Sequence, residues 1–345
     1  MTYVIEQGVL KSLGRHVEGL GSSCLVLHDR YATPETVACV CEGIGMGCRT
    51  LEIIAPTCSK AEARILALKI GESEPDLVVA LGAGKVLDLT RAAMKALQPN
   101  RPALALVPLI VSSNACIGGL AVMYGDDKRV NGFWSLSCAP ELVAVDLELV
   151  LGADSRFLSA AMGDQIASSF EAIHAAAAGE NPLGTEAHAA TLETIRLQGP
   201  AALAAVRAHE MAPELERVVR CVTYASSEQL TSSAVFMAHM LGEVLSAEPE
   251  LAQRMHGEVV GACVPAELVA MGDIEGAQAW IDILRSLGIP ASLAELGLSD
   301  VCVERIVSIC QASVSGMMVG EAAHKWSADE MAEFVLTAEN LAKQA

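Results

Sequence analysis

Residues 24–107 alternate short, unbroken apolar runs with longer stretches whose apolar positions recur every three or four residues. The apolar runs at 24–28, 76–81 and 103–107 predict strands, as does the mixed segment at 49–54, and the periodic stretches at 32–46, 59–72 and 86–97 predict helices. A further strand is expected at 142–146. Strands that are apolar along their whole length are buried on both faces. Alternating with helices, they predict a parallel sheet covered by helices, and so an α/β domain over 1–150.

After residue 150 strand signals almost vanish, and Ala, Leu, Glu, Met and Gln dominate. Glycine and proline punctuate the remainder at 179–184, 199–200, 213 and 289–290. The pattern predicts an all-α domain over 151–345, with helices at 156–178, 185–197, 200–209, 213–245, 250–271, 274–287, 301–313 and 328–343. A length of 345 residues exceeds one typical core, in keeping with two domains. No internal repeat or low-complexity tail is present.

Composition narrows the possibilities. Hydrophobic residues make up 52% of the chain but aromatics only 3%, so the interior is built from Ala, Val, Leu, Ile and Met. A net charge of −19 argues against nucleic acid or anionic membranes as partners. Eleven cysteines are scattered with no Cys-x-x-Cys pair, which fits buried thiols in a reducing cytoplasm and not a zinc module or disulfide framework. The N-terminus lacks the pattern of a signal peptide. The most apolar stretch, 102–111, is too short to span a bilayer.

Two segments suggest chemistry. The first is Leu81-Gly82-Ala83-Gly84-Lys85, directly after a predicted strand and before a predicted helix. Two glycines there suit a turn that brings backbone N–H groups to a phosphate, or simply a tight strand-to-helix connection. Leu87 breaks the usual Gly-x-Gly-x-x-Gly pattern. Asp88 reads as a partner of the helix dipole. Asp29 follows the strand at 24–28, where a carboxylate accepts from ribose hydroxyls or forms a turn. Ser112, Ser113 and Asn114 leave the strand at 103–107 on the ligand-binding edge of such a sheet, or form an ordinary loop. His28, Arg30 and Lys85 are equally compatible with the surface.

The second lies in the helical half. Asp164, His239 and His256 would give one carboxylate and two imidazoles, a good shell for a divalent ion with positions left open. A lone histidine is more often structural, and His16, His174, His188, His209 and His324 are read that way. His239 and His256 differ in lying in apolar helical stretches, the latter before the small Gly257.

In order and spacing, Val79–Asp88, Val107–Asn114, Pro140–Asp146, Gly163-Asp164, Ala238-His239 and His256-Gly257-Glu258 resemble the iron-containing alcohol dehydrogenase and dehydroquinate synthase superfamily. The resemblance is strongest to its glycerol dehydrogenase branch and covers nearly the whole chain. It implies an N-terminal dinucleotide-binding α/β domain and a C-terminal helical domain carrying metal and catalysis. Asp164, His239 and His256 match the metal ligands, with Asn114 near the substrate. The cofactor set becomes Asp29, Gly82, Ala83, Gly84, Lys85, Leu109, Ser112 and Leu120. The implied activity is NAD-linked interconversion of a small alcohol, a polyol or hydroxy acid, with its carbonyl. Zinc is usual in this branch and iron in others. A cytoplasmic homo-oligomer is expected.

Departures are informative. Asn114 stands where aspartate is typical, which weakens the case for glycerol itself. Leu109 replaces the usual threonine, and Gly242 replaces a second histidine, so a proton shuttle there is absent. Ser168 takes the place of a fourth ligand found in long-chain relatives, which leaves three. Ile117-Gly118-Gly119 resembles dehydroquinate synthase, but Leu120 follows where that enzyme has lysine. A glycerol-1-phosphate dehydrogenase, a cyclitol synthase or an inactive relative are therefore the competing readings.

Overall fold

The computed structural model describes residues 1–54, 58–113, 115–125, 130–136, 139–177, 185–225, 236–315 and 326–345. Contacts divide the chain into two units, Met1–Ala153 and Asp154–Ala345.

The first unit is built on a parallel sheet of β1 (Thr2–Glu6), β2 (Ser23–His28), β3 (Gly47–Glu52), β4 (Leu77–Gly82), β5 (Ala103–Pro108) and β8 (Leu142–Asp146), in the order β1-β8-β5-β4-β2-β3. An antiparallel hairpin of β6 (Leu120–Tyr124) and β7 (Val130–Ser135) forms a separate small sheet. The central strands are the continuous apolar runs: all of β4 and β8 is buried, as burial on both faces requires. The edge strand β3 is largely exposed and correspondingly polar.

Local signals start and stop the crossover helices. Thr33 caps α1 (Pro34–Ile44) by accepting from the Thr36 N–H, proline opens the helix, and Gly45 closes it at φ 72°. Ser59 caps α2 (Lys60–Ser73) in the same way. No side chain caps α3 (Gly84–Ala96), which follows β4. From β2 the chain runs out to β3 at one edge, whereas from β4 it runs to β5 on the other side. The carboxyl ends of β2 and β4 therefore flank the point where strand order reverses, where open α/β sheets bind ligands.

One strand here has no clear local signal. Strand β1 pairs with β8 from the far end of the unit, Val4 opposite Ala144, so its partner is invisible locally. Asp146 secures that pairing. It accepts from the Gly8 N–H at 2.8 Å and the Leu10 N–H at 3.1 Å, and also caps α4 (Leu147–Gly152) through the Glu148 N–H at 2.8 Å. Asp146→Ala should cost about 3 kcal/mol, because unpaired buried donors cost about 1–3 kcal/mol each. Denaturant unfolding measures this, and an unchanged midpoint would contradict it.

The second unit is helical: α5 (Ser155–Ala177), α6 (Thr185–Ala208), α7 (Pro213–Arg220), α8 (Met237–Leu245), α9 (His256–Ala270), α10 (Ile274–Ser286), the short α11 (Leu293–Leu296), α12 (Val303–Val314) and α13 (Ala328–Gln344). Every residue of α9 from Gly257 to Val269 is buried, so the helix is enclosed on all sides, with α5, α8, α10 and α13 packed against it.

Three expectations are corrected. The break expected at Gly199-Pro200 is absent, and α6 runs through it. Proline disfavours helix in the preceding residue partly by a clash with its Cβ, which Gly199 lacks. The helix expected from residue 213 ends at Arg220 and passes into a π-helical turn, Cys221–Ala225. The helix expected from residue 250 begins at His256, after a 3₁₀ turn at Pro249–Leu251. Cysteines among the described residues are free thiols. None of the described helices is long and apolar enough to cross a membrane.

Candidate metal centre and dinucleotide turn

Close packing of two helices sets the metal centre. A Cβ on Gly257 of α9 would lie 1.8 Å from the Ala160 carbonyl oxygen and 3.0 Å from the Asp164 nitrogen, both on α5. Gly163 reciprocates, since its Cβ would lie 2.2 Å from the Gly257 oxygen. Only glycine permits backbones to approach this closely. The contact places His256, the first residue of α9, beside Asp164. His239, in the first turn of α8, approaches the same carboxylate.

Asp164 is buried, and its Oδ1 lies 3.5 Å from His239 Nε2 and 3.6 Å from His256 Nε2. One donor atom from each of the three residues lies within 4.8 Å of the others. Bonds of about 2.0–2.2 Å in a tetrahedral shell separate neighbouring ligand atoms by about 3.4 Å, so the spacing fits a single ion.

Electrostatics favour a cation there. Burial alone would lower the pKa of His239, but Glu171 and Asp164 outweigh it and hold the pKa well above its usual value. Glu171 Oε2 lies 2.6 Å from His239 Nδ1. A carboxylate accepts, so Nδ1 carries a proton, and Nε2, which faces Asp164 and His256, is the atom at which a cation would replace a proton. At the start of α9, Glu258 accepts from the Met255 N–H at 2.9 Å and forms a two-pronged ion pair with Arg156, at 2.7 Å on each side. The helix turn bearing His256 is thereby held.

Sequence reading missed Glu171 and Glu267. Asp164 and Glu171 are seven residues apart on α5, two turns and hence one face, which is the only local signal. His174, expected to be structural, pairs with buried Glu267 at 2.6 Å. His188 is buried as well, its Nδ1 3.2 Å from Ser169 Oγ. Gly242 has a packing reason: a Cβ there would come within 2.6 Å of Val260 Cγ1.

In the first unit, His28 pairs with Leu81 in register, so Asp29 and Gly82 end adjacent strands side by side. Asp29 is half-buried and its Oδ1 accepts from the Tyr31 N–H at 2.9 Å, the turn geometry of an aspartate. A Cβ on Gly82 would meet the Val86 side chain at 2.5 Å, so the turn has a steric need for glycine. On Gly84 it would lie 3.5 Å from Ser113 Oγ, placing the serine loop over the helix start. Ala83 is the N-cap and offers no side-chain acceptor to the first N–H groups of α3.

Leu109 donates its N–H to the Gly82 oxygen at 3.0 Å. Ser112 is half-buried, and Lys85 Nζ sits 5.6 Å above the Tyr124 ring. Leu120 opens β6. Asn114 lies outside the described residues. Asp88, near the start of α3, is buried 4.0 Å from Arg91, and burial pushes its pKa up to about 7 against the pull of that arginine. Arg91 in turn donates to the carbonyls of Ala115 at 2.9 Å and of Gly118, latching the serine loop.

The chain is similar to known proteins. Glycerol dehydrogenase of Pseudomonas putida is 29% identical over 86% of this chain and 84% of its own. Glycerol dehydrogenase of Thermotoga maritima is 30% identical over 75% of this chain and 73% of its own. The fold matches the crystal structure of a probable glycerol dehydrogenase from Sinorhizobium meliloti, with a TM-score of 0.88 at 22% identity, covering 99% of this chain and 97% of that one. Residues 1–147 match the family described as iron-containing alcohol dehydrogenase. With that match, and a relative at 30% identity spanning most of both chains, the protein belongs to the iron-containing alcohol dehydrogenase family.

Proposed function

We propose that this chain is a metal-dependent, NAD-linked oxidoreductase that interconverts a small alcohol, a polyol or hydroxy acid, with its carbonyl. The observation that carries the reading is the convergence of Asp164, His239 and His256 on one point, with Glu171 fixing the ring of His239. Three protein donors with an open position suit zinc, the metal we favour over iron. When bound, the cation supplies Lewis-acid polarisation of an alcohol or carbonyl oxygen, and the nicotinamide supplies hydride exchange.

The chain's own residues do the rest. Asp164 contributes the negative charge that two neutral imidazoles lack. Glu171 keeps the Nδ1 proton of His239 and leaves Nε2 free to bind. The uncapped start of α3 receives the pyrophosphate, with Lys85 beside it. Asp29 receives the ribose hydroxyls and repels a 2′-phosphate, which selects NAD over NADP. A cytoplasmic homo-oligomer is the form we assign to it.

A screen of small diols, hydroxy acids and aldehydes for NAD reduction or NADH oxidation, with zinc supplied, tests the function. Turnover that disappears with a chelator and returns with zinc supports it; turnover unaffected by chelation contradicts it. Asp29→Ser should raise the NADP-to-NAD ratio of kcat/KM about tenfold, equivalent to about 1.4 kcal/mol of relieved repulsion. An unchanged ratio removes Asp29 from the cofactor site.

A further inference from the structure

We propose that Glu171 is the positioning residue of the metal centre: one buried carboxylate that holds both the backbone and the ring of His239 and balances the second charge of the cation. This rests on the metal reading of Asp164, His239 and His256.

Helix α8 begins without a cap of its own, since its N-cap is Phe236. Two carboxylates from other helices take that place. Glu267 of α9 accepts from the Ala238 N–H at 3.0 Å, and Glu171 of α5 accepts from the His239 N–H at 2.7 Å. The other oxygen of Glu171 accepts from Nδ1 of the same histidine at 2.6 Å. Held at two points, the imidazole has little freedom to turn, and its Nε2 stays aimed at Asp164. Glu267 is in turn braced by His174, at 2.6 Å.

The charge balance points the same way. Glu171 is only 2% exposed and Asp164 only 5%. Two buried carboxylates flanking one histidine are costly unless cationic charge lies near. A divalent ion bound by Asp164 and two neutral imidazoles makes the sum zero when Glu171 is counted. Glu171 therefore acts through His239, without contact to the ion itself.

Full-length protein carrying nitrogen-labelled histidine and loaded with an NMR-active cadmium isotope tests this. In the native chain, cadmium should couple to Nε2 of His239, with the proton on Nδ1. Coupling through Nδ1 overturns the proposal, and this measurement needs no variant to fold. For E171Q, competition against a chromophoric chelator should show zinc affinity lower by about 10–100-fold, the usual effect of removing a partner that orients a ligand. Affinity within about threefold of the native value overturns the proposal while leaving the metal centre intact. Absence of cadmium coupling to both His239 and His256 in the native chain overturns the metal reading, and this inference with it.

Discussion

His256→Ala will lose metal and turnover together. His256 supplies one of only three protein donors, and the vacated position has no neighbouring histidine to fill it among the described residues. Lewis-acid stabilisation is worth several kcal/mol in the transition state, and each 1.36 kcal/mol is tenfold in rate. We therefore expect kcat/KM to fall by about a thousandfold or more. The fold should survive, because half of the His256 side chain faces solvent and its removal leaves no large cavity. Metal content, turnover and thermal unfolding measured on one preparation separate these effects. A variant that has lost its metal yet retains full turnover would refute the role of the ion. Asp164→Asn should behave alike for a different reason: it keeps the shape and removes the charge.

Gly257→Ala should do damage out of proportion to a single methyl group. Its Cβ would sit 1.8 Å from the Ala160 oxygen. That oxygen belongs to the backbone of α5 and cannot swing away as the tip of a side chain would. The two helices must part, at a cost of about 1–3 kcal/mol or more. A unit of this size should then melt about 5–10 °C lower. Separation also pulls His256 away from Asp164, so zinc affinity should drop at least about tenfold. Equal melting temperature and equal affinity would show that the glycine contact does not set the geometry of the centre.

The sheet was legible because its central strands are buried on both faces, and such strands announce themselves as unbroken runs, as in Leu77–Gly82 and Leu142–Asp146. Strand β1 was not, because what makes it a strand is β8, far along the chain. The hairpin of β6 and β7 was hidden by the same dependence on pairing. In the helical unit, Pro200 misled because its usual effect depends on a neighbour with a Cβ. Asp164, His239 and His256 stood out by residue type and by family resemblance, whereas nothing local says that three separate helices bring them together. Glu171 and Glu267, the partner of the structural His174, were illegible for a physical reason: a polar residue in an Ala-rich helix reads as solvent-facing unless its partner is known. The burial of Asp88 was illegible as well, since it depends on Arg91 and on β6.

The most direct test of the account is anomalous scattering from crystals grown with zinc, recorded on both sides of the zinc absorption edge. One strong peak is expected, within bonding distance of an Asp164 oxygen and of Nε2 of both His239 and His256. A peak bound elsewhere, or none at these three side chains in active protein, would contradict it.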